Sequence, residues 1–149
     1  MLLSNTLLTK PYIRRPTYEV TIISATNSIR QILSMKDVSK AHTTELLSVM
    51  IWKISEANGK WNVRYFSADV LSNSAQKLQH EHVVTRKQII NQLMTEPQKM
   101  SEILSQVTAC LVTESEHRQL AQHDAENGWE RYKAAGIRVF DRDTKDWLW

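Results

Sequence analysis

The chain has 149 residues and a formal net charge of +3. Its length suits one well-buried domain, and 42% apolar with 23% charged residues excludes general disorder. Three glycines and three prolines are too few for an all-β sandwich with many tight turns. We therefore predict an α+β fold: a mostly helical single domain with a small β-hairpin or sheet.

The single cysteine, Cys110, excludes an intrachain disulfide and predicts a reducing compartment, the cytoplasm. No apolar run is long enough to predict a transmembrane helix. Residues 1–18 contain Lys10, Arg14 and Arg15 but no acid, which predicts a basic N-terminal arm. A mitochondrial presequence has the same composition and is the alternative interpretation.

Residues 19–149 are predicted to form the domain, with 19–58 as a helical cover. The β-branched run from Tyr18 to Ile23 predicts a short strand. A helix capped by Thr26 or Asn27 is expected next. A longer helix from Asp37 to Asn58 would then end at the Asn58-Gly59 stop.

Residues 59–149 are predicted to form the functional core. Apolar alternation predicts strands, and polar stretches predict loops. The strands are expected at 61–66, 77–84, 109–112 and 137–140, with a loop at 67–75. Helix starts are marked by capping-box patterns at Thr85, Thr95, Thr113 and Asn127.

Two short segments concentrate the side chains capable of acid–base and metal chemistry. His80, Glu81 and His82 close the strand before Thr85, while Glu114 and His117 follow the strand that ends at Thr113. Alternation places His80 and His82 on one strand face and Glu81 on the other. Two histidines at that spacing can hold a divalent cation, and a nearby helix N-terminus favours phosphate. Core histidines bonded to backbone are the structural alternative.

The strings Glu81–Lys87 and Cys110–Arg118 resemble the opening and closing motifs of the HNH endonucleases, the ββα-metal finger group. The resemblance implies a ββα-metal-like finger in the C-terminal half. It also implies that His82 activates water and that Glu81 and His117 bind a divalent ion (Mg²⁺, Mn²⁺ or Zn²⁺). His80 is a further candidate ligand, and Glu114 is a supporting residue. The family's middle asparagine has no clear counterpart, and Gln106 or Thr108 is the nearest polar residue.

Basic residues near these motifs predict contacts with nucleic acid, most readily DNA. Arg86, Lys87 and Arg118 lie at helix starts beside the site, and Arg131 lies in a basic, aromatic C-terminal region. A solvated face with aromatic residues turned inward explains the same pattern. The Trp147-Leu148-Trp149 terminus is an expected apolar patch for a protein partner or a homodimer.

Three functions follow from these observations. The first is a metal-dependent nuclease that hydrolyses phosphodiester bonds in DNA. The second is a non-catalytic regulator or inhibitor of the phage or mobile-element type, which binds nucleic acid or protein on a degenerate finger. The third is a structural zinc site formed by His80, His82 and His117, which would contribute stability only.

Overall fold

The computed structural model describes residues 10–72 and 76–149. Within them the helices are α1 Tyr18–Ser34, α2 Lys40–Ser55, α3 Ala68–Ser72, α4 Arg86–Thr95, α5 Met100–Leu104, α6 Glu114–Ala121 and α7 Trp129–Ala134, with a 3-10 turn at Pro97–Lys99. The strands are β1 Tyr65–Ser67, β2 Leu78–His82, β3 Ala109–Thr113, β4 Val139–Asp141 and β5 Asp146–Trp147. The predicted α+β single domain is confirmed.

The five described strands form one mixed sheet in the order β2-β3-β1-β4-β5. β1 and β3 run parallel, and the other neighbours are antiparallel. β2 therefore lies at an edge, where it pairs with β3 over five residues from Leu78 opposite Thr113 to His82 opposite Ala109. Since α6 follows β3 directly, β2, β3 and α6 form a ββα arrangement, with α4 and α5 inserted between the two strands.

Apolar residues on both faces of the sheet and between the helices form the core. Cys110 and Val112 of β3 face one cluster with Tyr132, while Leu111 faces another with Phe66. This alternation follows from the period of two in a strand. A third, helical cluster joins α1, α2, α4 and α5 through Ile29, Ile32, Leu47, Ile51, Ile89, Ile90, Leu93 and Ile103.

The N-terminal strand prediction was wrong, because Tyr18 to Ile23 form the first turns of α1. Ala25, Ile29 and Ile32 are buried on one face of this helix, whereas Val20 is 69% exposed. Packing of that face against α2 therefore outweighs the strand preference of the β-branched residues.

α2 is shorter than predicted at both ends. It starts after Ser39, whose hydroxyl accepts from the amide of His42, and Asp37 lies before it with a φ of 58°. At the other end, Asn58 contacts the N-terminal arm. Its side chain accepts from the amide of Arg15 and donates to the carbonyl of Ile13.

β1, β2 and β4 are shorter than predicted, β3 extends one residue further, to Thr113, and part of the predicted loop is helical. Only Tyr65 and Phe66 of the predicted 61–66 strand are in β1, since the side chain of Asn62 bonds to arm and loop carbonyls. Residues 68–72 of the predicted loop form α3, whereas 73–75 lie outside the described residues. The strand predicted at 137–140 is β4, which starts at Val139 because the amide of Ile137 bonds to Tyr132 in the turn after α7.

Two of the four capping boxes are confirmed, at Thr85 and at Thr113. Thr95 is the last residue of α4 and its hydroxyl donates to the carbonyl of Asn91. Gly128, with a φ of 57°, occupies the N-cap of α7 without a side-chain bond. The boxes predicted at Thr95 and Asn127 were therefore wrong. Across the described ranges, no helix has both the length and the apolar character that crossing a membrane requires.

Candidate functional site

The two confirmed caps position the candidate site at the edge strand. Thr85 accepts from the amide of Gln88 and starts α4 just after β2, and Thr113 accepts from the amide of Glu116 and starts α6 just after β3. In this antiparallel pair Glu81 lies opposite Cys110, whereas α6 begins after Thr113, opposite Leu78 at the start of β2. The contact between Glu81 and His117 therefore depends on how α6 packs along β2.

Glu81 and His117 are in direct contact at this edge. Nδ1 of His117 lies 2.5 Å from Oε2 of Glu81. Glu81 is buried, whereas the side chain of His117 is 49% exposed. Since a carboxylate only accepts, the tautomer that this contact favours carries its hydrogen on Nδ1 and leaves Nε2 as an acceptor. A partly exposed histidine oriented by a buried carboxylate is an arrangement suited to general-base catalysis.

Arg131 of α7 neutralises the same carboxylate from the interior. Its Nη2 lies 2.9 Å from Oε1 of Glu81 and 2.8 Å from the carbonyl oxygen of His82, while Nη1 lies 3.0 Å from Asp124. Arg131 is only 2% exposed. Its predicted place on a nucleic-acid surface was wrong, because α7 turns this side chain into the protein to pair with Glu81.

His80 and His82 pack together against Trp52 of α2, away from the Glu81 carboxylate. The ring centroid of Trp52 lies 4.9 Å from that of His80 and 5.2 Å from that of His82. Nδ1 of His80 lies 2.7 Å from the carbonyl oxygen of Lys60, and Nε2 of His82 lies 2.9 Å from Oγ of Ser55. Both histidines are buried.

Burial changes the protonation of these two histidines. It lowers the pKa of His82 to about 3, with further lowering by His80, Arg86 and Arg131. Burial also lowers the pKa of His80, against the opposing hydrogen bond to Lys60. Both rings are therefore neutral near neutral pH.

A hollow of about 290 Å³ brings most of the predicted residues to one place. Arg86 is fixed at its rim by a 2.9 Å bond to Oγ of Ser48 and lies over the ring of Trp52, with its Cζ 5.2 Å from the centroid. Lys87 is exposed at the same helix start. The lining consists of Trp52, His80, Glu81, His82, Thr85, Arg86, Lys87 and His117.

Three other predicted residues lie outside this hollow. Glu114 and Arg118 form an exposed ion pair along α6, 3.2 Å apart. Thr108 contributes its carbonyl to the amide of Val83 and lines a different depression. The structure therefore brings Glu81, His82, His80, His117, Arg86 and Lys87 together, but not Glu114, Thr108 or Arg118.

Sequence reasoning missed Trp52, Ser55 and the pairing role of Arg131. Trp52 and Ser55 lie on a helix far from the motifs in sequence, and no local pattern marks their contact with His80 and His82. Glu116 was predicted only as the partner of Thr113 in a capping box. It is also buried and accepts from the hydroxyl of Ser67 at 2.6 Å, and burial raises its pKa despite the hydrogen bonds from Ser67 and Thr113.

The donor set, as arranged, does not fit a divalent metal ion. One oxygen of Glu81 faces Arg131 and the other faces Nδ1 of His117, so neither is free for a cation. His80 bonds to the Lys60 carbonyl through Nδ1, and its buried Nε2, which has no partner among the described residues, is the one free ring nitrogen of this histidine. In the described part of the chain, no group of three or more His, Cys, Asp or Glu side chains is placed to hold a metal.

The arrangement can nevertheless do acid–base chemistry next to phosphate. His117 offers a ring nitrogen, and Arg86 and Lys87 provide positive charge in the same hollow. The resemblance to HNH endonucleases depends on two features only: the sequences Glu81–Lys87 and Cys110–Arg118, and the ββα arrangement of β2, β3 and α6. Comparison with known protein families, with characterised proteins and with solved structures finds no match to this chain.

Proposed function

We propose that the protein hydrolyses phosphodiester bonds in nucleic acid, with DNA as the first substrate to test. The observation that carries the proposal is the contact between buried Glu81 and half-exposed His117. The HNH resemblance suggested His82 as the base. His117 suits that role better, because His82 is buried and its Nε2 is bonded to Ser55.

The proposed step begins with a water molecule between His117 and a bound phosphate. Nε2 of His117 accepts a proton as the water oxygen bonds to phosphorus, and Glu81 stabilises the resulting imidazolium through Nδ1. The bond from phosphorus to the leaving oxygen breaks, and a proton from solvent neutralises that oxygen. Arg86 and Lys87 stabilise the charge that develops on the phosphate oxygens.

The experiment is a cleavage assay on single-stranded and duplex DNA in EDTA and in added Mg²⁺, Mn²⁺ or Zn²⁺. The base-only mechanism predicts cleavage that persists in EDTA and falls in the His117→Gln variant. His123→Gln is the control, because it removes a histidine that does not line the hollow. Cleavage that requires an added divalent ion would instead support a metal finger in which Arg131 releases Glu81.

A second candidate function is a non-catalytic binding protein for nucleic acid or another protein. The observation that favours it is the buried Arg131, which already occupies one oxygen of Glu81. Salt-sensitive DNA binding without cleavage under any metal condition would support this function and contradict the nuclease proposal.

A further inference from the structure

A second hollow, of about 950 Å³, lies between the N-terminal arm, the loop after α2 and the sheet. It shares no lining residue with the hollow at Glu81. Five of its lining residues are basic and none is acidic: Lys10, Arg15, Lys60, Lys77 and Arg142. This volume falls within the range typical of small-molecule sites.

Arg142 is a buried cation that pairs with no carboxylate of the described residues. It is only 4% exposed. Its Nη1 donates to the Val63 carbonyl at 2.7 Å and the Asn62 side chain at 3.1 Å, while its buried Nε has no partner in the described ranges. Residues 1–9 and 73–75 contain no Asp or Glu. Buried charges are normally paired, so an anionic ligand would be a favourable partner for this guanidinium.

The other buried arginine, Arg131, has carboxylate partners, although its Nε also has no hydrogen-bond partner among the described residues. Arg131 pairs with Glu81 and Asp124. By contrast, none of the five basic residues of the hollow belongs to an ion pair with any described residue. Unneutralised positive charge around one concave surface predicts an anionic ligand.

The hollow also has an apolar and aromatic side. Val70 and Leu111 are buried beneath it. Trp61 is 50% exposed, and Nζ of Lys60 lies 4.8 Å from its ring centroid. An exposed indole beside several cations is a surface on which a planar, negatively charged ligand can stack.

Side-chain bonds hold the arm in place over this hollow. Asn58 accepts from the amide of Arg15 at 2.5 Å, and both Asn58 and Asn62 donate to the carbonyl of Ile13. Gly59 allows the guanidinium of Arg15 to lie close, since a Cβ there would come within 2.6 Å of its Nη2. The arm thus contributes Arg15 and Lys10 to the hollow that Arg142 also lines.

We propose that this hollow binds a nucleotide, in which a sugar carries both a phosphate group and an aromatic base. The phosphate lies among the basic residues and pairs with Arg142, and the base stacks on Trp61. The phosphate can belong to a free nucleotide or to the 5′ end of a nucleic-acid strand, and both sources present the same chemistry. The inference does not depend on the nuclease proposal, because the two hollows are separate.

Isothermal titration calorimetry with the full chain tests the inference. Four ligands are compared: inorganic phosphate, AMP, and a short oligonucleotide with and without a 5′-phosphate. AMP should bind more tightly than inorganic phosphate. A 5′-phosphate that strengthens oligonucleotide binding would identify the strand end as a source, whereas equal binding of both oligonucleotides would leave the free nucleotide as the ligand.

Variants at exposed residues avoid the risk of unfolding. Lys60→Ala, Lys10→Ala and Trp61→Ala should each weaken AMP binding several-fold. Lys53→Ala is the matched control, since Lys53 is paired with Glu56 and does not line the hollow. Absence of AMP binding, or AMP affinity unchanged in all three variants, would overturn the proposal.

Arg142→Met tests the buried cation directly, with its melting temperature recorded first. A folded Arg142→Met protein should lose at least tenfold in AMP affinity, and a folded variant that binds AMP normally would contradict the role of Arg142. The His117→Gln variant should bind AMP as the wild type does. AMP binding in a protein without nuclease activity would therefore support this site while contradicting the other.

Discussion

Glu81 and Arg131 form a buried ion pair, with Oε1 and Nη2 2.9 Å apart and the side chains 11% and 3% exposed. The second oxygen of Glu81 contacts Nδ1 of His117 at 2.5 Å. One carboxylate thus connects the interior of α7 to a half-exposed ring on α6. This connection fixes the position of His117 and explains why Glu81 is tolerated in a buried strand.

Removal of Glu81 should destabilise the protein strongly. Glu81→Ala leaves the Arg131 charge buried with only Asp124 and the His82 carbonyl as partners. We expect a loss of about 3–5 kcal/mol in the free energy of unfolding, measured by urea denaturation. Glu114→Ala removes only the exposed pair with Arg118 and should cost less than about 1 kcal/mol. Equal losses in the two variants would contradict the pairing.

Stability should fall in acid because His82 is buried in its neutral form. Its pKa is about 3 in the folded protein against an ordinary value of 6.5. Between these pH values the unfolded chain binds more protons, so the contribution of His82 is complete above pH 6.5 and is lost as the pH falls towards 3.

The His82→Gln variant tests this pH dependence. Its free energy of unfolding should fall less steeply below pH 6.5 than that of the wild type, by at most about 1.4 kcal/mol per pH unit. His42→Gln is the control, since His42 is exposed. Parallel acid profiles for wild type and His82→Gln would show that His82 does not titrate as the structure requires.

Thr85 and Thr95 lie at the two ends of α4, so they allow the contribution of a helix cap to be compared with a control. Thr85→Ala removes a side chain that accepts from the amide of Gln88, and should cost about 1 kcal/mol. Thr95→Ala removes a hydroxyl at the end of the same helix that caps nothing, and should change the free energy of unfolding by less than about 0.5 kcal/mol. Thermal or urea unfolding of the two variants distinguishes these values.

Two glycines with positive φ separate backbone strain from contact with Arg15. Gly59 has a φ of 103° and Gly136 a φ of 71°, but only Gly59 faces Arg15. Both Ala variants should lose about 1 kcal/mol or more of stability. Only Gly59→Ala should also weaken AMP binding, because its Cβ displaces the Arg15 guanidinium. Unchanged AMP affinity in a folded Gly59→Ala protein would remove Arg15 from the binding surface.

Short sequence patterns predicted the starts of α4 and α6 correctly, because hydrogen bonds between residues close in sequence determine these helix ends. Thr85 with Gln88 and Thr113 with Glu116 were identified because a capping box satisfies its own amides within four residues. The strand prediction at Tyr18 to Ile23 failed because the outcome depends on α2, which packs against Ala25, Ile29 and Ile32. The residues around Tyr18 to Ile23 do not by themselves show that α2 will pack against this segment.

The candidate site was predictable in part for the same reason. The two motifs predicted that Glu81 and His117 belong to one site, and they are in contact. Strand pairing alone places Glu81 opposite Cys110, so the contact also depends on how α6 packs along β2. The contact of Arg131 with Glu81 spans 50 residues. The direction in which α7 turns this arginine is decided by tertiary packing beside buried Tyr132, so a basic, aromatic segment was interpreted as a surface.

The most direct test of the central claim is the rate of DNA cleavage by the His117→Ala variant, with and without added imidazole. Because His117 is half exposed beside an open hollow, imidazole can enter the space that the substitution leaves. The account predicts a loss of about 10²–10⁴-fold in rate and partial recovery with imidazole, while the melting temperature stays near that of the wild type. Cleavage by His117→Ala at the wild-type rate would contradict it.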